Sequence, residues 1–200
     1  MKPGLIAIAG LIGVGKTTLA HSLANHLNAH LVLEEYDQNP FLARQMAGDK
    51  KLSLPSELFF LFSRTRQLDI DNIKPYPTVI CDYLFDKNRI FARLNLNESQ
   101  FAIYDQLEKT VVEHLATPDI VIRLTDTVEN CMSRIVRRGR TYESFLTREN
   151  LIRLAQAYET LFQNWTKSPV IKIDCADCDL RRKETITNIT NDLLRMGIIT

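Results

Sequence analysis

The chain has 200 residues, 45% of them hydrophobic and 24% charged, and a formal net charge of +1. That balance predicts one soluble domain over residues 1–200, long enough to bury a core. It argues against broad electrostatic binding to nucleic acid or to an anionic membrane, and no apolar run approaches the roughly 18 residues of a membrane span.

Leu5-Ile6-Ala7-Ile8-Ala9 is an apolar run of the length of a buried parallel strand. It starts too near the N-terminus for a signal peptide to precede it, so a cytoplasmic location is expected. Gly10-Leu11-Ile12-Gly13-Val14-Gly15-Lys16-Thr17 follows, with the spacing Gly, four residues, Gly, Lys, Thr of a phosphate-binding loop. Leu19, Leu23 and Leu27 then recur at helical spacing. In a strand–loop–helix arrangement the backbone of Gly10, Gly13, Val14 and Gly15 and the first helical residues Lys16, Thr17 and Thr18 surround a polyphosphate. Lys16 reaches the outer phosphates and the Thr17 hydroxyl ligates magnesium. The predicted ligand is a nucleoside triphosphate.

A second strand, His30–Leu33, runs straight into Glu34-Glu35. A helix is predicted from Ser53, its candidate cap, to about Ile73, with Leu58, Phe59, Phe62 and Leu68 on the buried face. Pro75-Tyr76-Pro77 ends it, and Thr78–Cys81 forms a third strand closing on Asp82. A short helix is expected over Phe85–Leu94. A longer one spans Glu98 to about Ala116, opened by an Asn97/Gln100 capping box. Asp119–Leu124 is a fourth strand. Asp126 with Glu129 has the spacing of another capping box, for a helix to Arg138 that stops at Gly139. Thr147 caps a helix lined by Leu151, Leu154, Tyr158, Leu161 and Trp165. Pro169–Asp174 gives the fifth strand and Arg182–Met196 the last helix. The four cysteines include one Cys-x-x-Cys pair, Cys175 and Cys178, with no second pair to complete a zinc site; incidental thiols are expected.

Alternating strands and helices imply an α/β fold: a five-stranded parallel sheet covered on both faces, with a P-loop after its first strand. The functional residues then gather along the edge where the strands end. Glu34 lies there, as a hydroxyl-activating carboxylate or as a surface acid. Asp82 is a candidate for the magnesium shell. Arg134, Arg137, Arg138 and Arg140 crowd around Gly139, either as cations for a transferring phosphoryl group or as complements to a helix dipole.

Glu34–Leu42, Glu57–Arg64, Asp82–Ala92 and Arg134–Arg140 with Glu143 together resemble the bacterial deoxynucleoside kinases, in the expected order over nearly the whole chain. The resemblance implies ATP- and magnesium-dependent phosphorylation of a deoxynucleoside 5′-hydroxyl for salvage, by a homodimer. It gives Glu34 the role of proton acceptor, Asp82 a place near magnesium, Phe91 a stacking role on the base, and Glu143 a contact to the 3′-hydroxyl. Arg134, Arg138 and Arg140 match lid arginines around the phosphates, and Arg64 an arginine beside the base and the 5′ end.

This chain departs from the family pattern at three points. Glu57 stands where many members have Gln; a carboxylate only accepts, which favours a base edge bearing donors and hence a deoxypurine, unless Glu57 simply pairs with Arg64. Met46 stands near an expected sugar-binding Tyr. Asp82-Tyr83-Leu84 replaces the Glu-Arg-Ser of animal members, so a second cation near the 5′-hydroxyl is missing or supplied elsewhere. A nucleoside monophosphate kinase of the thymidylate type and an inactive nucleotide-binding subunit are the alternatives.

Overall fold

The computed structural model describes residues 4–199 except Asp177. Five parallel strands form one sheet in the order β2-β3-β1-β4-β5: β1 (Gly4–Ala9), β2 (His30–Val32), β3 (Thr78–Cys81), β4 (Ile120–Thr125) and β5 (Val170–Asp174). Strand β1 is the centre, with Ile6 beside Ile80 on one side and Ile120 on the other. Its residues from Leu5 to Ala9 are buried, as a strand covered on both faces requires. Strand β5 is an edge, and its exposed and half-covered residues alternate. The chain turns left of β1 for β2 and β3 and right of it for β4 and β5. Beside β1 lies the reversal point where open α/β sheets take ligands.

Nine helices accompany the strands among the described residues. Helix α1 (Lys16–Leu27) follows β1 and buries Leu19, Ala20, Leu23 and Ala24. Helix α2 (Leu42–Met46) is a single turn, and α3 (Ser53–Leu68) is long. The helix predicted to reach Ile73 breaks at Asp69. That residue is extended, bridges to Leu115, and caps the short α4 (Ile70–Ile73) by accepting from the Asp71 N–H. Ser53 does not cap α3: it lies inside the first turn, with Leu52 before it. The buried face of α3 also differs from the prediction. Phe60, Leu61 and Leu68 are inside, Phe62 is half exposed, and Glu57, Ser63 and Arg64 are buried with them. Simple amphipathicity fails here because this helix turns polar groups toward the site.

Helices α5 (Lys87–Asn95) and α6 (Glu98–Val111) pack on α3. The Asn97/Gln100 capping box is formed, and α6 gives way to a 3-10 turn at Val112 rather than running to Ala116. The cap of α7 (Val128–Arg138) falls one residue later than predicted. Thr127 accepts from the Asn130 N–H at 3.1 Å, while Asp126 turns its carboxylate to the Asn130 amide and to Arg134. Gly139 ends α7 at φ +67°. Thr147 and Asn150 form a capping box for α8 (Arg148–Gln163), which ends before Trp165, and α9 (Lys183–Arg195) closes the chain. The cysteines are free, and burial pushes Cys131 and Cys175 up to about 11 and about 12. No helix among the described residues is long and apolar enough to cross a membrane.

Candidate active site

The strand ends open onto a cavity of about 290 Å³, into which the β1–α1 loop projects Gly13, Lys16 and Thr17. The loop depends on glycine at two close approaches. A Cβ on Gly10 would lie 2.4 Å from the Leu124 carbonyl oxygen, and one on Gly13 2.6 Å from that of Cys131; both residues have positive φ. Val14 is buried beneath the loop, and Gly15, also at positive φ, starts α1 with no side-chain cap. The first-turn N–H groups of Lys16, Thr17 and Thr18 therefore remain for an anion. Lys16 folds back, its Nζ donating to the carbonyls of Gly10 (3.0 Å) and Leu11 (2.8 Å). Burial, aided by the Lys87 charge, lowers its pKa to about 8.

Asp82 connects this loop to the acidic end of β2. One carboxylate oxygen accepts from the Thr17 hydroxyl at 2.7 Å, the other from the Glu34 N–H at 2.9 Å. Hydroxyl and carboxylate side by side suit a hard cation that takes its other ligands from phosphate and water. The described residues hold no cluster of three or more His, Cys, Asp or Glu that could hold a metal ion.

Glu34 turns into the cavity and Glu35 away from it, each met by an arginine of α3. Glu35 pairs with Arg66 at 2.6 Å. Glu34 accepts from Arg64 Nε at 2.9 Å and from Arg64 Nη2, and also from Lys87 Nζ at 2.7 and 3.0 Å. Burial pushes the Glu34 carboxyl up, but the Arg64 and Lys87 charges outweigh it and hold it well below the usual carboxylate range. Each Arg64 nitrogen is engaged: Nη1 donates to Asn88, and the guanidinium stacks 4.4 Å from the Phe60 ring.

Lys87, Phe91 and Asn95 stand four apart on one face of α5, and all three line the cavity. Lys87 meets Glu34; two turns on, about 12 Å along the axis, Asn95 meets Glu57. Glu57 is buried and has no ion pair among the described residues. Its Oε1 accepts from Asn95 at 2.7 Å and from Gln45 at 3.3 Å, while its Oε2 receives no hydrogen bond from the described residues. Burial raises its pKa against those donors. Met46 and Tyr36 line the same space.

Of the four arginines near Gly139, Arg138 and Arg140 line the cavity. Buried Glu143 accepts from Arg138 Nε at 2.6 Å and lies 3.5 Å from Arg140, which stacks on Tyr36. The structure does not bring Arg134 into the lining; it pairs with Asp126 at 2.6 Å. Sequence reasoning missed Lys87 and Asn95. A turn-by-turn reading either way from Phe91 locates both.

Residues 6–195 match the family model for deoxynucleoside kinase. The chain is 33% identical over 157 residues to deoxyguanosine kinase of Bacillus subtilis, covering 77% of this chain and 76% of that protein. It is 28% identical over 200 residues to deoxyadenosine/deoxycytidine kinase of the same organism, covering 96% and 92%. The structure of deoxyadenosine kinase from M. mycoides with dCMP and a flexible dCDP superimposes with a TM-score of 0.82 at 26% identity, covering 96% of this chain and 99% of that one. A further structure of that kinase holds dATP. Glycine loop, paired carboxylates and sheet order thus agree with the sequence match, and the chain belongs to the deoxynucleoside kinase family, whose members phosphorylate a nucleoside hydroxyl.

Proposed function

We propose that the chain transfers the γ-phosphoryl group of ATP, with magnesium, to the 5′-hydroxyl of a deoxypurine nucleoside, as a cytoplasmic homodimer serving nucleotide salvage. The observation that carries this reading is Glu34, a carboxylate held ionised by Arg64 and Lys87 in the same cavity as the phosphate loop and tied to it through Asp82. The loop N–H groups and Lys16 hold the triphosphate, leaving the Gly10 and Leu11 carbonyls. Thr17 and Asp82 hold magnesium, which supplies charge neutralisation at the phosphates. The 5′-oxygen bonds to the γ-phosphorus, the bond to the β,γ-bridging oxygen breaks with its electron pair leaving on ADP, and the hydroxyl proton passes to Glu34. Arg138 and Arg140 close over the phosphates as a lid and exclude water, a competing acceptor. Glu143, freed from them, reaches the 3′-hydroxyl.

The nucleoside runs along α5 from Lys87 to Asn95, its base stacked on Phe91. Glu57 Oε2 is then an acceptor for the adenine amino group or the guanine N–H groups. The test is a phosphorylation panel of the four deoxynucleosides and their monophosphates with ATP and magnesium, with Glu34→Gln alongside. Turnover of a deoxypurine, reduced roughly 100-fold or more in the variant, is expected. Preferred turnover of monophosphates, or none with any acceptor, overturns the reading.

A further inference from the structure

The acceptor end carries two buried cations against one carboxylate, and they are not equivalent. Arg64 spends Nε and Nη2 on Glu34 and Nη1 on Asn88, and Phe60 covers its face. Lys87 has three N–H groups. Two reach Glu34, and the third has no partner among the described residues, although the residue is buried and lines the cavity. The ammonium lies 5.4 Å from the Phe91 ring centroid, which keeps it on the cavity side of α5. Lys16 of the phosphate loop feels its charge directly, so the ammonium sits near where donor and acceptor must meet.

We propose that Lys87 is a catalytic residue whose free N–H donates to the nucleoside 5′-oxygen as it attacks, supplying from α5 the cation that Tyr83-Leu84 leaves out. The proposal rests on the kinase reading above. During transfer the 5′-oxygen gains a bond to phosphorus and gives its proton to Glu34. A cationic donor on that oxygen fixes its lone pair toward the phosphorus and steadies the charge as the proton leaves. Arg64 holds the carboxylate in place, and Lys87 holds the nucleophile.

The experiment pairs protein and ligand changes. Binding of deoxyguanosine or deoxyadenosine, whichever binds more tightly, is compared with that of its 5′-deoxy counterpart by calorimetry. In the unaltered protein, deletion of the 5′-hydroxyl is expected to weaken binding roughly 10-fold or more, as for a hydrogen bond to a charged group. In Lys87→Met that penalty shrinks by roughly 3-fold or more, the hydroxyl's bond to Glu34 keeping the remainder. Because a neutral residue here leaves Glu34 less well paired, the comparison is repeated between Glu34→Gln and Glu34→Gln/Lys87→Met, and again only the variants lacking Lys87 lose the discrimination. Turnover should fall roughly 100-fold in Lys87→Met, with the ATP KM little changed, and Lys87→Arg should recover part of the loss. An unchanged 5′-hydroxyl penalty in both pairs overturns the proposal. Discrimination lost as expected in a protein that never turns over leaves Lys87 a contact to the 5′-hydroxyl and overturns its catalytic role together with the kinase reading. If neither nucleoside binds, both fall.

Discussion

Glu57 is a carboxyl of the cavity wall that no cation pairs among the described residues. It is buried, its pKa is raised from the ordinary 4.5 by burial, and two amides are its only donors among the described residues. A carboxyl whose pKa is raised by folding costs stability in full above the raised value, where both states are ionised. As pH falls through the raised value, the folded state takes the proton first and the cost disappears. Glu57→Gln keeps an acceptor for Asn95 and Gln45. It is expected to raise the Tm by a few degrees at pH 7–8, with the gain shrinking at acid pH, and to weaken the deoxypurine preference. Thermal scans at several pH values check the first part. Lys16 titrates in the opposite sense. With a pKa of about 8, it loses its charge above that pH. ATP affinity should then fall by up to about 10-fold per pH unit above pH 8, and binding there should take up a proton. Calorimetry in buffers of different ionisation enthalpy measures both. That Lys16, Thr17, Glu34 and Asp82 meet at one cavity was legible in the sequence because loop spacing and strand ends are local signals. Lys87 was not, since its meaning comes from Glu34, 53 positions away in the chain.

The elements that position these residues were read well where one rule governs and poorly where two compete. Strands β1 and β3 follow from their apolar runs. Helix α3 obeys both core and site, so Phe62 faces outward while Arg64 is buried. Asp126 has the residue type and spacing of a helix cap, but Arg134 and the Asn130 amide claim its carboxylate and Thr127 takes the cap. The phosphate loop leaves no such choice. Gly13→Ala places a methyl 2.6 Å from a backbone oxygen at φ +83°. This should cost about 1–3 kcal/mol of stability and abolish ATP binding, while the Phe62 face stays intact; thermal melts and nucleotide titration read the two effects separately.

At the scale of the whole molecule, α3 and α6 pack together, and each leaves a large apolar side chain about half exposed, Phe62 on one and Ile103 on the other. Isolated apolar residues on a surface are ordinary, but on two helices in contact they suit a symmetric partner helix pair. Phe62→Glu is expected to convert a dimer to a monomer without loss of helical circular dichroism. Sedimentation equilibrium decides it, and an unaltered protein that is already monomeric sinks the dimer.

The clasp of Glu143 on Arg138 and Arg140 bears on the crowd of small anions any phosphate-handling protein meets. Two unclaimed arginines beside a phosphate loop would be a trap for inorganic phosphate. With their charge already answered by a buried carboxylate, they release only to a ligand that offers more than one carboxylate does. On the proposed reading a triphosphate would meet that condition, because it presents several anionic groups at once to the arginines and to the loop N–H groups.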